Sequence, residues 1–287
     1  MAGVALVAGA SSGLGRAVAE RLAAEGFRTY AGARSFAGKA SGLRKEPPQG
    51  CIPVALDVTS DESVHAAIGT IMAAEGRIDA LINCAAFLTL GSCEETSDAE
   101  LRAVMETNLL GTARMVRGVL PVMRAQGGGR IVQFSSLNGR FAIPFQGAYT
   151  ASKHAIEGWS EALALEVRKF GISVTLVEPG DCRSGADAYR THADAASQMD
   201  SPYHAYYGVA TAKIHHDEAT GMQPQRVAGA VARVLQRRRA PMRVTVARID
   251  QRLALWLHGL LPGRFFARII GWYYGAGTSA RRQHDQK

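Results

Sequence analysis
The stretch Val4-Ala5-Leu6-Val7-Ala8-Gly9-Ala10-Ser11-Ser12-Gly13-Leu14-Gly15 decides the fold. Five apolar residues form a short buried strand. A glycine-rich turn follows, and then a run with apolar residues at helical spacing (Val18, Leu22) that ends near Gly26. Strand, glycine turn and helix together aim backbone N–H groups and the positive end of a helix at one point, where a pyrophosphate is held. Glycines at 9, 13 and 15 let such a group approach the backbone closely. The spacing is G-x-x-x-G-x-G. On its own such a turn could also serve only tight packing of strand on helix.

Outward from this turn, strands and helices alternate. Strands are expected at Phe27 to Ala33, Ile52 to Leu56, Ile78 to Ile82, Arg130 to Phe134 and Ile172 to Val177. Helices are expected at Asp61 to Glu75, across Ser97 to Gln126 with a break near Asn108 to Gly111, from Tyr149 to about Phe170, and from Gln223 to Arg239. This order implies an α/β fold, a doubly wound parallel sheet with helices on both faces and its active groups beyond the carboxyl ends of the strands. One catalytic domain over residues 1–247 is expected, with a substrate lid at about 181–222 and a basic amphipathic C-terminal extension at 248–287.

The second strand ends in Ala33-Arg34 where an acidic residue would hold a ribose hydroxyl. A guanidinium there suits a 2′-phosphate, so NADP(H) is expected over NAD(H). Further along, Tyr149 and Lys153 stand four residues apart, on one face of the helix that carries them. A fixed ammonium beside a phenol favours the phenolate, which equips the tyrosine as an acid/base at neutral pH. A Tyr-x-x-x-Lys spacing arises often by chance, so the pair gains meaning only from its context.

That context resembles the short-chain dehydrogenase/reductase family, in its non-extended branch, over roughly residues 3–245. Gly9-x-x-x-Gly13-x-Gly15 matches the family's cofactor turn, although Ala8 stands where Thr is frequent. Asp57 matches the acidic residue beside the adenine. Asn83-Cys84-Ala85-Ala86 matches Asn-Asn-Ala-Gly imperfectly. Ser136 precedes Tyr149 by the usual interval, and Pro179-Gly180 and Ser184 follow the sixth strand in their usual places. The resemblance implies a Rossmann-type fold and a catalytic set of Asn108, Ser136, Tyr149 and Lys153. It implies cofactor contacts from Gly9, Ser11, Ser12, Gly13, Leu14, Gly15, Arg34, Asp57, Val58, Asn83, Ala85, Tyr149, Lys153, Pro179, Gly180 and Ser184. In these roles Ser136 donates to the substrate oxygen, Tyr149 moves the proton, Lys153 also holds the nicotinamide ribose, and Asn108 opens its helix to seat a water. Patterns such as Tyr30-Ala-Gly-Ala-Arg34 and Val177-Glu-Pro-Gly180 look most like the steroid- and retinol-dehydrogenase-like members.

Apolar segments flank this set. Phe87, Phe141, Phe145 and Tyr189, with Ser136 and Tyr149, are expected to meet a bulky, largely apolar ketone or alcohol such as a steroid, retinoid, terpenoid or long-chain carbonyl. Tyr203, Tyr206 and Tyr207 belong to the same expected lid. Two other functions use the same scaffold: an NADP-sensing protein without catalysis, and a dehydratase or epimerase. The retained serine and tyrosine favour alcohol/carbonyl interconversion.

The net charge of +8 is unevenly spread. From Gln223 to Lys287 there are thirteen Lys/Arg against two acids, so the basic character belongs to the C-terminal part. In that part Ile249, Leu253, Trp256, Leu257, Leu260 and Leu261 recur at helical spacing before Pro262-Gly263 interrupts. Such a segment serves as a cap over the pocket or a subunit contact, with a peripheral membrane surface as the alternative. Nothing beyond this charge points to nucleic acid. Cys51, Cys84, Cys93 and Cys182 lack metal-ligand spacing and read as free thiols of a cytoplasmic protein, with no metal site. The first residues read as a strand, with no basic leader. The family implies a homodimer or homotetramer through the helices at Ser97–Gln126 and Tyr149–Phe170.

Overall fold
The computed structural model describes residues 3–36, 46–185, 190–196 and 198–276. Seven parallel strands form one sheet in the order β3-β2-β1-β4-β6-β7-β9. These are β1 (Val4–Ala8), β2 (Arg28–Ala33), β3 (Ile52–Ala55), β4 (Ala80–Asn83), β6 (Gly129–Phe134), β7 (Ile172–Pro179) and β9 (Arg243–Val246). The strand order reverses between β1 and β4, which is where an open parallel sheet leaves a crevice at its carboxyl edge.

The alternation along β1 shows why the sheet has helices on both sides. Leu6 and Ala8 pack with α2 (Asp61–Glu75), α4 (Gly111–Ala125) and α5 (Gly147–Val167), whereas Ala5 and Val7 pack with α1 (Gly13–Ala24) and α7 (Pro224–Gln236). Both sets are apolar, so the strand is an unbroken apolar run, as a strand covered on both faces must be. The helix at Asp61–Glu75 begins and ends where the sequence places it. Ser60 Oγ accepts from Ser63 N at 3.1 Å, and Gly76 closes the helix at φ 69°.

The long helical region after Ser97 is interrupted as expected, and the interruption has a defined form. Following α3 (Asp98–Met105), Glu106–Leu110 is a single wide π turn in which Gly111 N–H reaches back five residues to Glu106 O. Asn108 lies inside it.

Two features were not legible beforehand. Leu88–Leu90 (β5) and Arg190–His192 (β8) pair in parallel as a separate two-stranded sheet, and α6 (His204–Ala219) packs beside it. Strands of three residues leave too short a pattern to read. The C-terminal extension forms α8 (Ile249–Leu260) and α9 (Gly263–Tyr273), broken at Leu261-Pro262 as the sequence indicates. Phe266 from α9 and Leu257 from α8 pack onto Leu137 and Phe141 beyond the end of β6, with the Phe141 and Phe266 rings 5.3 Å apart. The extension is therefore seated on the domain. No described helix is long and apolar enough to cross a membrane.

Candidate active site
The carboxyl ends of β1, β2, β4, β6 and β7 open on a cavity of about 580 Å³. Its floor begins at the glycine turn. Gly9 has φ 81°, and a Cβ placed there would lie 2.6 Å from Ala85 N, so no other residue fits this backbone. Gly15 meets the carbonyl of Gly9 and the Cys84 side chain in the same way. Gly9, Ser11, Ser12, Leu14 and Gly15 line the cavity, and α1 starts at Gly13 directly beneath. Gly13 itself takes φ 55° and shapes the turn without facing the cavity.

At the end of β2, Arg34 is exposed on the cavity wall beside Ser35. Ser35 is only 7% exposed, and its Oγ has no hydrogen-bond partner among the described residues. A buried hydroxyl without a partner is costly, and this one, on the cavity wall, is free to meet an acceptor placed there. Sequence reading passed over Ser35; its only signal is its place directly after Arg34. Asp57 is held rigidly, its Oδ1 accepting from Thr59 N at 2.9 Å and Thr59 Oγ1 at 2.7 Å. Asp57, Val58, Ala85, Pro179, Gly180 and Ser184 all reach the wall.

Asn83 does not. It is buried under the strand end, and its Nδ2 donates to Gln133 Oε1 at 2.8 Å. The neighbouring Cys84, Ala85 and Ala86 take its place on the wall. Asn83 and Gln133 are register partners on β4 and β6, so the Asn83 side chain is spent on its neighbour across the sheet and does not reach the cavity.

Ser136, Tyr149 and Lys153 converge on the same cavity. Lys153 is 2% exposed, and its Nζ donates to Phe134 O at 2.7 Å, which ties the helix to the end of the strand that carries Ser136. Its Nζ stands 5.4 Å from the centre of the Tyr149 ring. Burial pushes the Lys153 amine down to about 8, with the Cys84 thiol and Glu157 opposing the shift, so it stays mainly charged at neutral pH. Ser136 Oγ accepts from Asn138 N at 3.2 Å, which leaves its own proton to donate into the cavity.

Asn108 is fully buried and lies behind the wall. Its Oδ1 accepts from Phe87 N at 2.7 Å, while its Nδ2 donates to Phe87 O at 2.9 Å and to Ser152 Oγ at 2.9 Å. Ser152 Oγ in turn donates to Tyr149 O at 2.7 Å. Asn108 thus clamps the loop after β4 to the turn of α5 that carries Tyr149. Ser152 is a supporting residue that sequence reading missed.

The expected substrate residues divide. Phe87 and Phe141 line the cavity. Phe145 is 6% exposed and instead anchors an aromatic cluster, its ring 4.9 Å from Tyr206 and 5.2 Å from Tyr207. It takes φ 61°, an unusual conformation for an aromatic residue, just before α5 begins. This cluster holds the start of the helix that carries Tyr149. Tyr189 lies outside the described residues.

The roof was not foreseen in detail. It comprises Ile214, Asp217 and Glu218 of α6 together with Gln251, Ala254, Ile269, Ile270, Tyr273 and Tyr274 of the extension. Gln251 Nε2 donates to Asp181 Oδ2 at 2.5 Å, and Tyr273 OH donates to Asp217 Oδ2 at 3.0 Å. The pocket is accordingly less uniformly apolar than the sequence implied. Burial, reinforced by the charges of Asp217 and Glu218, raises the Asp181 carboxyl to about 6.

A family profile described as short chain dehydrogenase matches residues 3–195. The chain belongs to the short-chain dehydrogenase/reductase family. It is 33% identical over 271 residues to a 3-ketodihydrosphingosine reductase of Bacteroides thetaiotaomicron, covering 94% of this chain and 97% of that protein. A short-chain dehydrogenase from Streptomyces avermitilis superposes with a TM-score of 0.75 at 31% identity, covering 95% of this chain and 96% of the other. A family member from Burkholderia phymatum, solved in complex with NAD, superposes with a TM-score of 0.71 at 28% identity, covering 84% and 88%. The family is one of oxidoreductases, and it places the strand-end cavity described above in an enzyme.

Proposed function
We propose that this short-chain dehydrogenase/reductase is an NADP(H)-dependent oxidoreductase that interconverts a secondary alcohol and a ketone, or a primary alcohol and an aldehyde, on a bulky substrate with a long apolar part. The observation that carries this is the convergence of Ser136, Tyr149 and Lys153 on one cavity whose other end is a glycine turn at a helix start.

The residues fit a dinucleotide. The turn from Gly9 to Gly15 and the start of α1 would hold its pyrophosphate, Asp57 its adenine side, and Lys153 its nicotinamide ribose. Arg34 and the unpartnered Ser35 hydroxyl would take a 2′-phosphate, and this favours NADP(H). When bound, the nicotinamide supplies or accepts the hydride. The chain's own work is proton transfer and orientation. Ser136 donates to the substrate oxygen as charge develops there. Tyr149 gives its proton to that oxygen in reduction and takes it back in oxidation, and the Lys153 ammonium stabilises the phenolate between the two. Asn108 fixes the position of Tyr149 through Ser152 and Phe87.

The roof supports an amphiphilic substrate. Ala254, Ile269 and Ile270 offer apolar walls, and Asp181, Asp217 and Gln251 a polar end. The Bacteroides relative is named a 3-ketodihydrosphingosine reductase, and a keto compound of that kind is among the substrates this shape suggests. Leu101, Leu110 and Leu165, exposed on α3 to α5, support a homo-oligomer through those helices.

The test is oxidation of NADPH and of NADH against a panel of long-chain ketones, steroids, retinoids and small sugars, with native protein and Arg34→Glu. Native protein should favour NADPH by about 10-fold or more in kcat/KM, and Arg34→Glu should reverse the preference. Equal use of NADH would remove the cofactor assignment, and turnover confined to small sugars would remove the substrate class.

A further inference from the structure
The C-terminal extension is apolar on two faces. Its inner face is accounted for: Leu257, Phe266 and Ile270 pack on the catalytic body. Its outer face is not. On α8, Ile249, Leu253, Trp256 and Leu260 form a stripe at i, i+4, i+7 and i+11, with Trp256 61% exposed. On α9, Phe265, Ile269 and Trp272 follow at i, i+4 and i+7, with Trp272 78% exposed, and Tyr273, whose OH is held by Asp217, forms the edge of the stripe. Eight of the thirteen exposed large hydrophobic residues of the described chain lie in these two helices. Large apolar side chains concentrated on the exposed side of two successive helices mark an interaction surface.

The charge on this surface selects its partner. Arg252 stands one turn before Trp256 and Arg268 one turn before Trp272, with Arg264 at the start of α9. None of the three has an ion-pair partner among the described residues. Over residues 249–276 the sole acid is Asp250, and it is already paired with Arg248 at 2.8 Å. A second copy meeting this face symmetrically would set arginines against arginines, with no free carboxylate to answer them. A surface of anionic phospholipid answers both features, since acyl boundaries accept Leu, Ile and Phe, interfaces favour Trp and Tyr, and phosphates pair with Arg.

We infer that the outer face of α8 and α9 docks on an anionic lipid surface, holding the catalytic domain against it as a peripheral protein. Ile269 and Tyr273 are exposed on this face and also line the cavity, so the docked face borders the substrate site. Docking itself requires no catalysis and holds whatever the substrate proves to be.

The experiment is flotation of the full chain with vesicles of phosphatidylcholine alone and of phosphatidylcholine mixed with phosphatidylserine. The protein should float with the mixed vesicles roughly 10–100-fold more strongly than with the neutral ones, and added salt should release it. Two of the three tryptophans lie on the docking face, so emission should also shift to the blue on the mixed vesicles. Trp256→Ser with Trp272→Ser should lose flotation and keep turnover of a soluble substrate, because neither side chain lines the cavity. Arg252→Glu, Arg264→Glu and Arg268→Glu together should lose the preference for phosphatidylserine. Tyr149→Phe should float normally, which separates this inference from the catalytic reading. Native protein that stays in the soluble fraction with both vesicles overturns the inference. So does an oligomer, seen by light scattering, that the double tryptophan variant dissociates, since a second copy would then cover the face.

Discussion

The floor and the roof of the cavity are built by different physics. The floor is backbone. Gly9 at φ 81° packs against Ala85 N, Lys153 Nζ is pinned to Phe134 O, and Asn108 is locked to both backbone groups of Phe87. Each constraint specifies one residue type at one position. The roof is side-chain packing, in which Phe266, Leu257 and Ile270 sit on Leu137 and Phe141, and Tyr274 joins a separate cluster with Phe145. Many apolar residues could make such contacts. On the proposed reading, the chemistry would be held where substitution is least tolerated and the substrate met where it is most tolerated.

The largest effect that sharpens this comparison is on the floor. Tyr149→Phe should lower kcat by about 10²–10⁴-fold, with cofactor affinity by fluorescence titration little changed. A mild loss would place the proton transfer elsewhere. Next, Gly9→Ala forces a Cβ to within 2.6 Å of the Ala85 amide at positive φ. It should cost about 3–4 kcal/mol by denaturant unfolding and abolish cofactor binding, and a stable, cofactor-binding variant would break the account of the floor.

On the roof, Phe266→Ala removes the ring that meets Phe141 at 5.3 Å. A loss of about 3 kcal/mol should fall on the docking of α8 and α9, seen as faster proteolysis after residue 248. KM for a long-chain substrate should rise, while kcat for a small ketone is kept. Loss of all activity would show that roof and floor are one unit. The smallest effect lies where the two meet. The Asp181 carboxyl is raised to about 6 from an ordinary value of 3.8, so the folded chain holds its proton more tightly than the unfolded chain. Stability therefore falls as pH rises from about 4 through 6 and stays lower above that. Asp181→Asn should melt a few degrees higher than native protein at pH 7, a gain of at most about 3 kcal/mol, and match it at pH 4. A difference that does not change with pH would remove the buried carboxylate as its cause.

The same division explains what could be read in advance. The order of the main strands and helices, a break in the helical region near Asn108 to Gly111 and the spacing from Ser136 to Lys153 follow from local patterns of glycine, period and polar residue, whereas the π form of that break emerged only in the structure. The Asn83 side chain is turned to Gln133 and not to the cavity, which residue type alone does not reveal at a strand end. Phe145 was misplaced because an aromatic residue near a catalytic helix serves equally as pocket wall or as anchor. Ser35 was missed because its importance lies in an absent partner, which only burial exposes.

From residue order alone came the parallel sheet, the glycine turn and the tyrosine–lysine helix. These rest on constraints between residues a few positions apart, where backbone sterics act directly. Tertiary structure alone decided that α8 and α9 close the cavity, that Gln251 meets Asp181 across 70 positions, and that a second apolar stripe is left facing outward. Apolar side chains state that they must be covered without stating by what, because burial of apolar surface is favourable and non-directional.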